Sequence, residues 1–164
     1  MPSIDYFECE DCKFRWKDQG PFRFHLNENG EIEEFLLLMR YMDLDRDSNI
    51  SGDIVETYCT NCNKKVKIYL ITAVKNMDES EAISILKDSI NNKISNKHME
   101  QFIRETDLKD DCFIVDLSRN FYSNKTYHCP DCNCEISKYI LSKNRCPKCD
   151  GDIKVVDGMC LDSF

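Results

Sequence analysis

The chain is poor in the residues that most catalytic and nucleotide-binding motifs require. Its 164 residues include only five glycines and three histidines. No glycine-rich run could cradle a phosphate, and the histidines are not spaced as in metal enzymes. No serine or cysteine nucleophile motif occurs either. These absences argue against catalysis, and we expect a protein that is not an enzyme.

Long hydrophobic runs are also missing. No apolar stretch approaches the roughly 20 residues that a membrane span requires. Residues 1–5 show neither the basic nor the apolar region of a signal peptide. We therefore expect a cytoplasmic protein with no membrane contact. Thiols stay reduced in the cytoplasm, so metal ligation explains a cysteine-rich chain better than disulfides do.

Cysteine is the residue that the chain has in abundance. Eight of its eleven cysteines fall into four Cys-x-x-Cys pairs. Two intervening residues let both sulfurs face one ion while nearby backbone N–H groups point at them, so each pair can form a metal-binding turn, here called a knuckle. In chain order, the first to fourth knuckles are Cys9/Cys12, Cys59/Cys62, Cys129/Cys132 and Cys146/Cys149.

Four knuckles predict two metal sites, because a tetrahedral Cys₄ site takes two of them. We expect neighbours along the chain to combine, so that the first knuckle joins the second and the third joins the fourth. The third and fourth knuckles are separated by 13 residues, a spacing that fits two hairpin strands. The predicted cofactors are two Zn²⁺ ions per chain, with iron as the alternative occupant.

Three cysteines, Cys112, Cys134 and Cys160, lie outside the knuckles. No two of them have knuckle spacing, so the simplest interpretation is small buried or partly exposed thiols. A redox role is the alternative. Cys134 lies two residues past Cys132 and could also compete as a ligand.

The segment around the third and fourth knuckles has the pattern C-P-D-C-x₁₃-C-P-K-C-D-G. This pattern resembles the zinc-ribbon, or rubredoxin-like, class over about 30 residues, and residues 6–71 resemble it more loosely. The resemblance implies two knuckles at the tips of β-hairpins with one ion between them. Ribbons usually place glycine after a knuckle, where φ is positive. The corresponding residues here are Lys13, Asn63, Asn133 and Asp150.

Hydrophobic periodicity supplies the remaining elements. Alternation and turn residues predict strands or strand segments over residues 6–9, 14–17, 22–26, 31–37, 54–58, 66–71, 113–117, 139–141 and 153–156. Asn29-Gly30 predicts a two-residue hairpin turn, and this turn favours a strand over the alternative of an amphipathic helix across residues 31–42. Gly52-Asp53 predicts another turn. Asp78 and Glu81 form a capping-box pattern before a helix with Ile83, Leu86 and Ile90 on one face; a second short helix is expected over 97–105.

These elements predict an α+β fold of two small Cys₄ zinc-ribbon β units joined by a short helical segment. The expected division is a zinc ribbon with an inserted β-hairpin over 1–77, a helical connector over 78–111, and a C-terminal zinc ribbon over 112–164.

Charge bears on the partner. The formal net charge of −8 disfavours binding to a phosphate backbone. A basic and aromatic alternation nevertheless runs through the first half, and its basic residues could share one face: Arg15, Lys17, Arg23, His25, Lys64, Lys65 and Lys67. Surface charges opposite a buried aromatic face would give the same alternation.

The predicted function is a non-enzymatic adaptor or structural subunit whose metal-pinned hairpins contact proteins in a larger assembly. One alternative is a ribbon associated with nucleic acid, transcription or translation. Another is a rubredoxin-like or thiol-based redox protein, since the same Cys₄ geometry carries electrons when it holds iron. The class of fold alone does not choose among them.

Overall fold

The computed structural model describes residues 3–20, 22–36, 48–59, 61–62, 64–93, 109–123, 125–136, 145–146 and 148–160. Within these ranges the chain forms a mixed α+β structure made mostly of strands. The strands are β1 (Ser3–Cys9), β2 (Arg15–Gly20), β3 (Phe22–Leu26), β4 (Ile32–Leu36), β5 (Ile50–Cys59), β6 (Lys64–Val74), β7 (Lys109–Leu117), β8 (Tyr127–His128), β9 (Glu135–Ile136) and β10 (Ile153–Cys160). The helices are α1 (Glu79–Lys93) and α2 (Ser118–Tyr122).

A five-stranded sheet forms the centre of the fold, with strand order β4-β3-β5-β6-β7. Its pairs are antiparallel except β6–β7, which is parallel and is connected through α1. A three-stranded antiparallel sheet has the order β10-β1-β2, and β8 pairs with β9 in a two-stranded hairpin. Strands from the two ends of the sequence are thus direct neighbours.

One face of the central sheet packs against α1. Phe24, Tyr69 and Ile71 are buried there together with Leu86 and Ile90 of the helix. The helix begins as predicted, because the Asp78 side chain accepts a hydrogen bond from the Glu81 backbone N–H at 2.7 Å. The apolar face expected on this helix is also confirmed, because Leu86 and Ile90 are buried and Ile83 is partly buried against the same cluster.

The opposite face of the sheet carries a second cluster. Ile68 and Leu70 alternate with Tyr69 and Ile71 along β6, so they point the other way. They pack with Tyr127 and with five further buried residues: Cys59, Val66, Cys112, Cys129 and Ile136. The β8–β9 hairpin therefore lies across this face and brings the third knuckle to the sheet.

Two turn predictions need correction. The hairpin near Asn29-Gly30 is present, but Leu26 pairs with Ile32, so the loop has five residues rather than two. The Asn27 side chain accepts hydrogen bonds from the backbone N–H groups of Asn29 and Glu31, both at 2.9 Å, and Gly30 has a φ of 76°.

Gly52-Asp53 is not a turn but lies inside β5, where the register with β6 shifts. The reason is a close backbone approach: a Cβ atom at Gly52 would lie 1.9 Å from the carbonyl oxygen of Leu70. Glycine is required at this position because the backbones of β5 and β6 approach closely, not because the chain reverses direction.

The predicted strands over 6–9, 22–26, 54–58, 66–71, 113–117 and 153–156 are confirmed. The predicted strand over 14–17 is confirmed from Arg15 onward. The predicted strand over 31–37, which returns from the hairpin loop, is confirmed over 32–36. The predicted strand over 139–141 and the helix over 97–105 lie outside the described residues.

The close approach of β5 to β6 at Gly52 can be tested by substitution. Gly52→Ala should lower the free energy of unfolding by about 1–3 kcal/mol, because β5 must move away from β6 to admit the methyl group. Gly30→Asn is the matched control: nothing lies within 4 Å of a Cβ there, and asparagine tolerates positive φ. Denaturant titration of both variants measures the difference. Equal, small losses would contradict the close approach.

Candidate metal centres

The structure brings the eight predicted ligands into two groups of four thiols. In each group the Sγ atoms all lie within 4.8 Å of one another. The outer group joins the first and fourth knuckles and consists of Cys9, Cys12, Cys146 and Cys149. The inner group joins the second and third knuckles and consists of Cys59, Cys62, Cys129 and Cys132.

The expected pairing of knuckles is therefore wrong, although the structure groups the eight expected thiols. Neighbouring knuckles do not combine; the inner pair is nested within the outer pair. The physical reason is the sheet pairing, because β1 aligns antiparallel with β10 and places Cys9 opposite Ile153, next to the fourth knuckle. The division into 1–77, 78–111 and 112–164 stays a prediction, but each group takes thiols from both its first and last ranges.

Sulfur spacing in both groups suits a tetrahedral ion. In the outer group Cys9 and Cys149 have Sγ atoms 3.5 Å apart, and Cys12 and Cys146 have them 3.6 Å apart. The corresponding distances in the inner group are 3.4 and 3.5 Å. Metal–sulfur bonds of about 2.3 Å at tetrahedral angles place sulfurs about 3.8 Å apart. A disulfide needs about 2.05 Å, and the ten described cysteines are free thiols.

Three knuckles share one backbone geometry. Lys13, Asn133 and Asp150 each follow the second cysteine of a knuckle and have φ values of 61°, 59° and 61°. Each donates its backbone N–H to the carbonyl of that knuckle's first cysteine at 3.1, 2.8 and 2.9 Å respectively. The positive φ implied at these positions is confirmed, while Asn63 lies outside the described residues. Lys13 adopts it with its Nζ donating to the Glu10 carbonyl at 2.8 Å.

Hydrogen bonds from backbone N–H groups stabilise negative charge on the sulfurs. The Cys12 N–H donates to Cys9 Sγ at 3.4 Å, and this bond is the largest of the contacts that together lower the pKa of Cys9 to about 7. The Cys134 N–H likewise lowers the pKa of Cys132 to about 6. Burial acts in the opposite direction and raises the pKa of Cys146 to about 12. A bound cation would favour the thiolate form of such buried ligands.

The outer group is built where the β1–β2 turn meets the start of β10. The Glu10 N–H donates to the Asp152 carbonyl at 2.9 Å across the two knuckles. Gly151 is buried, and a Cβ there would lie 2.4 Å from the Asp11 carboxylate. Lys148 Nζ lies 5.6 Å from the centre of the Phe14 ring. Contacts on both sides thus hold the two knuckles together.

Tyr58 connects the outer group to the central sheet. It packs against the cluster of Cys9, Phe14 and Cys146. Burial raises the pKa of Tyr58, and the neighbouring Cys146 and Asp150 raise it further. The next residue in β5 is Cys59 of the inner group, whose side chain points to the other face of the sheet.

The inner group is built where the β5–β6 turn meets the β8–β9 turn. An ion pair between Lys64 and Asp131 joins the two knuckles at the surface. Beneath them the Asp116 carboxylate accepts hydrogen bonds from Lys125, Asn120 and Tyr127, each at 2.8 Å. Asp116 is itself buried. This network ties β7, α2 and β8 together and fixes the approach of the third knuckle.

Two of the additional cysteines lie near the inner group; the sequence analysis raised this placement for Cys134 and missed it for Cys112. Cys112 is buried in the same cluster as Cys129, and burial raises its pKa to about 12. Cys134 is exposed, its carbonyl accepts the Cys129 N–H at 2.9 Å, and the neighbouring Cys132 raises its pKa. The proximity of Cys134 to a knuckle was the one available signal. The side chain of Cys160 lies outside the described residues.

The basic residues of the alternating segment do not form one face. Arg23 pairs with Asp53, which pairs with Leu70, so the three side chains lie on the same face of the sheet. Lys67 lies on the opposite face, with Tyr69, because side chains alternate along β6. Each described member contacts a carboxylate: Arg15 contacts Glu8, Arg23 Asp53, His25 Glu33, Lys64 Asp131, Lys65 Glu56 and Lys67 Glu34. Lys65 is only 3% exposed. The expected aromatic burial holds for Phe14, Phe24 and Tyr69.

No protein-family model, curated protein or solved structure matches this chain. The two Cys₄ groups are compatible with a zinc-ribbon-like class, and they could each hold a metal ion. Among the described helices, none combines the length and the apolar character needed to cross a bilayer.

The nested pairing predicts which segments depend on which knuckle. Cys146→Ser should abolish amide-exchange protection in Ser3–Cys9 and Ile153–Cys160 while Lys64–Val74 stays protected. The reason is that a structural metal contributes about 10 kcal/mol or more to folding of a small module, comparable with a whole domain's stability of about 5–15 kcal/mol. Segment-resolved hydrogen exchange on metal-loaded protein measures this.

Cys59→Ser is the matched variant in the inner group and should instead expose residues 127–136. If Cys146→Ser instead loses protection at 127–136 and keeps it at Ser3–Cys9, the nested pairing is wrong and neighbouring knuckles combine.

Proposed function

We propose that each Cys₄ group holds one zinc ion and that both ions are structural. The observation that carries this proposal is the convergence of four sulfurs in each group at distances of 3.4–3.6 Å between paired Sγ atoms. Backbone N–H groups donate to Cys9 Sγ in the first knuckle and to Cys146 Sγ in the fourth, at 3.4 and 3.3 Å, which supports the orientation of these ligands. Four thiolates close the tetrahedral shell of zinc, which leaves no position for a substrate.

The role proposed for this metal-pinned scaffold is non-enzymatic: an adaptor or structural subunit that binds another protein. Its net charge of −8 repels a phosphate backbone, and the described basic residues of the alternating segment already contact carboxylates. A protein partner therefore suits this surface better than nucleic acid. The cytoplasm, with its reduced thiols, is the proposed location.

The edge of the three-stranded sheet is the proposed contact surface. Strand β10 is at the end of the order β10-β1-β2, and Val155 on it is 59% exposed. An edge strand offers unpaired N–H and C=O groups to a strand of a partner. The outer group orders this edge, because the fourth knuckle directly precedes β10.

Metal content tests the first part of the proposal. Purified protein should contain about two zinc ions per chain by elemental analysis. Removal of the zinc by a chelator should unfold the sheet of β1, β2 and β10. The expected loss follows from the size of the metal's contribution to folding in small modules, about 10 kcal/mol or more. Red, iron-containing protein would favour the rubredoxin-like alternative, and protein without metal that keeps this sheet would refute the proposal.

Partner capture tests the second part. Tagged protein should retain its main partner from a nuclease-treated lysate, and Val155→Lys should reduce capture by at least about 10-fold if the edge contributes some 1.4 kcal/mol. Tyr122→Lys is the matched control, because Tyr122 is also exposed, at 74%, but lies on α2. Loss of the partner on nuclease treatment would favour the nucleic-acid alternative. Equal effects of both variants would remove β10 as the contact.

A further inference from the structure

We propose that the outer group is an oxidation site, at which a hydroperoxide converts the four thiols into two disulfides that cross between the first and fourth knuckles. The bonds join Cys9 to Cys149 and Cys12 to Cys146. The inference rests on the proposed function, because it concerns the zinc ion assigned to this group. It goes further by naming the co-reactant, the sulfurs that react and the state of the sheet after the ion has left.

The outer group is more accessible to a dissolved oxidant than the inner group. Cys12 and Cys149 are exposed, one in each of its knuckles, while Cys9 and Cys146 are buried. In the inner group two of the cysteines are buried and the other two are only partly exposed. Oxidation of cysteine follows thiolate character and exposure. Since all eight ligands of the proposed ions are thiolates, exposure decides, and the outer group reacts first.

Each exposed cysteine of the outer group has its sulfur beside a buried sulfur of the opposite knuckle. Cys149 Sγ lies 3.5 Å from Cys9 Sγ, and Cys12 Sγ lies 3.6 Å from Cys146 Sγ. A disulfide bond is about 2.05 Å long, so a small side-chain rotation closes either pair. The buried sulfurs are held by backbone N–H groups, Cys9 Sγ by that of Cys12 at 3.4 Å and Cys146 Sγ by that of Lys148 at 3.3 Å.

Backbone contacts between the two knuckles favour bonds across them over bonds within them. Strand β1 pairs with β10 up to the register of Cys9 with Ile153. Just beyond it, the Glu10 N–H donates to the Asp152 carbonyl at 2.9 Å. While the sheet is folded, these contacts keep the sulfurs of opposite knuckles together at the moment when one of them is oxidised. The inner group has the same cross-knuckle distances, 3.4 and 3.5 Å, and is an internal control for accessibility.

The reaction takes two electrons from each pair of sulfurs. The Cys149 sulfur attacks hydrogen peroxide, so an S–O bond forms, the O–O bond breaks, and the hydroxide that leaves is protonated by solvent to water. The Cys9 thiolate then attacks the Cys149 sulfur, so the S–S bond forms, the S–O bond breaks, and a second hydroxide leaves as water. A second peroxide molecule oxidises Cys12 and Cys146 in the same way. No electron passes to or from the metal.

The first disulfide removes two of the four thiolates. Cys12 and Cys146 remain, together with the Asp11 carboxylate, which lies beside Cys149 at the position that a Cβ of Gly151 would occupy. Two sulfurs and one carboxylate hold Zn²⁺ more weakly than four thiolates do, so the outer ion is lost to a chelator. The new bond joins the same two knuckles covalently and restricts the unfolded chain. The oxidised protein therefore lacks the outer ion but keeps the pairing of β1 with β10.

Zinc release from the full-length, zinc-loaded protein tests the selectivity. Dilute hydrogen peroxide should release one of the two ions to a chromogenic chelator, and the second at least about 10-fold more slowly, because oxidation favours accessible thiolates. A sample without peroxide gives the background rate. Cys134→Ser is the matched control, since Cys134 is exposed but belongs to neither group, and it should leave the first release unchanged. A reductant with added zinc should restore both ions.

Peptide mass mapping identifies the bonds. Trypsin leaves the first knuckle within residues 1–13 and divides the fourth between 146–148 and 149–154. An unreduced digest of the oxidised protein, alkylated after denaturation, should contain residues 1–13 linked to both short peptides and the four inner thiols in alkylated form. Further cleavage at the glutamate between the two cysteines of residues 1–13 then assigns each bond.

Hydrogen exchange measures the state of the sheet. Protein oxidised by peroxide and depleted of the outer ion should keep amide protection in Ser3–Cys9 and Ile153–Cys160. Reduced protein from which a chelator has removed the zinc should lose that protection, since nothing joins its knuckles. The two samples lack the same ion and differ in the disulfides, so the comparison isolates the effect of the bonds.

Three results would overturn the proposal. Residues 1–13 with an internal disulfide, or with sulfinic acid and no link, show that the bonds do not cross between knuckles. Oxidation of the inner thiols first, or of both groups at one rate, removes the selectivity. Loss of protection in oxidised β1 and β10 shows that the disulfides do not replace the ion. Protein isolated without zinc would instead refute the proposed function, and the peptide map of that protein would still decide which sulfurs pair.

Discussion

The fold depends on contact between thiols at the two ends of the sequence. Cys9 and Cys149 are 140 positions apart, yet their sulfurs lie 3.5 Å from each other. The chain between them must therefore fold back so that the first and fourth knuckles meet. The pairing of β1 with β10 extends this closure along two strands, so the outer group and the sheet that carries it form together. The inner group repeats the same arrangement over a shorter loop, between Cys62 and Cys129, 67 positions apart.

Two consecutive residues of β5 join the two groups. Tyr58 packs on the outer group and Cys59 is a ligand candidate of the inner one, on opposite faces of the sheet because side chains alternate along a strand. The central sheet is thereby fixed from both sides at the same end. One of its faces is covered by α1, through apolar contacts at Leu86 and Ile90 and a hydrogen bond from Ser89 Oγ to the Gly30 carbonyl at 2.7 Å. The inner thiol group lies on the opposite face.

The sequence shows which cysteines gather but not how they combine. A Cys-x-x-Cys turn is local, so its ligands and the positive φ at Lys13, Asn133 and Asp150 follow from spacing and turn chemistry. Four knuckles can combine in three ways, and the choice depends on long-range strand pairing. Proximity in sequence favours neighbours; the β1–β10 pairing overrides it. Cys112 could not be placed beside Cys129 for the same reason, because no local pattern relates β7 to the third knuckle.

Nesting also sets an order for biosynthesis. A ribosome makes the chain from its N-terminus, so the first knuckle emerges before all others and its partner emerges last. The inner knuckles can meet while later residues are still being added. Cys9 and Cys12 must wait, as unpaired thiols, for more than 130 residues to follow, since Cys12 and Cys146 are 134 positions apart. The outer group can therefore form only after the fourth knuckle has emerged, and until then the thiols of Cys9 and Cys12 depend on the reducing power of their surroundings for protection.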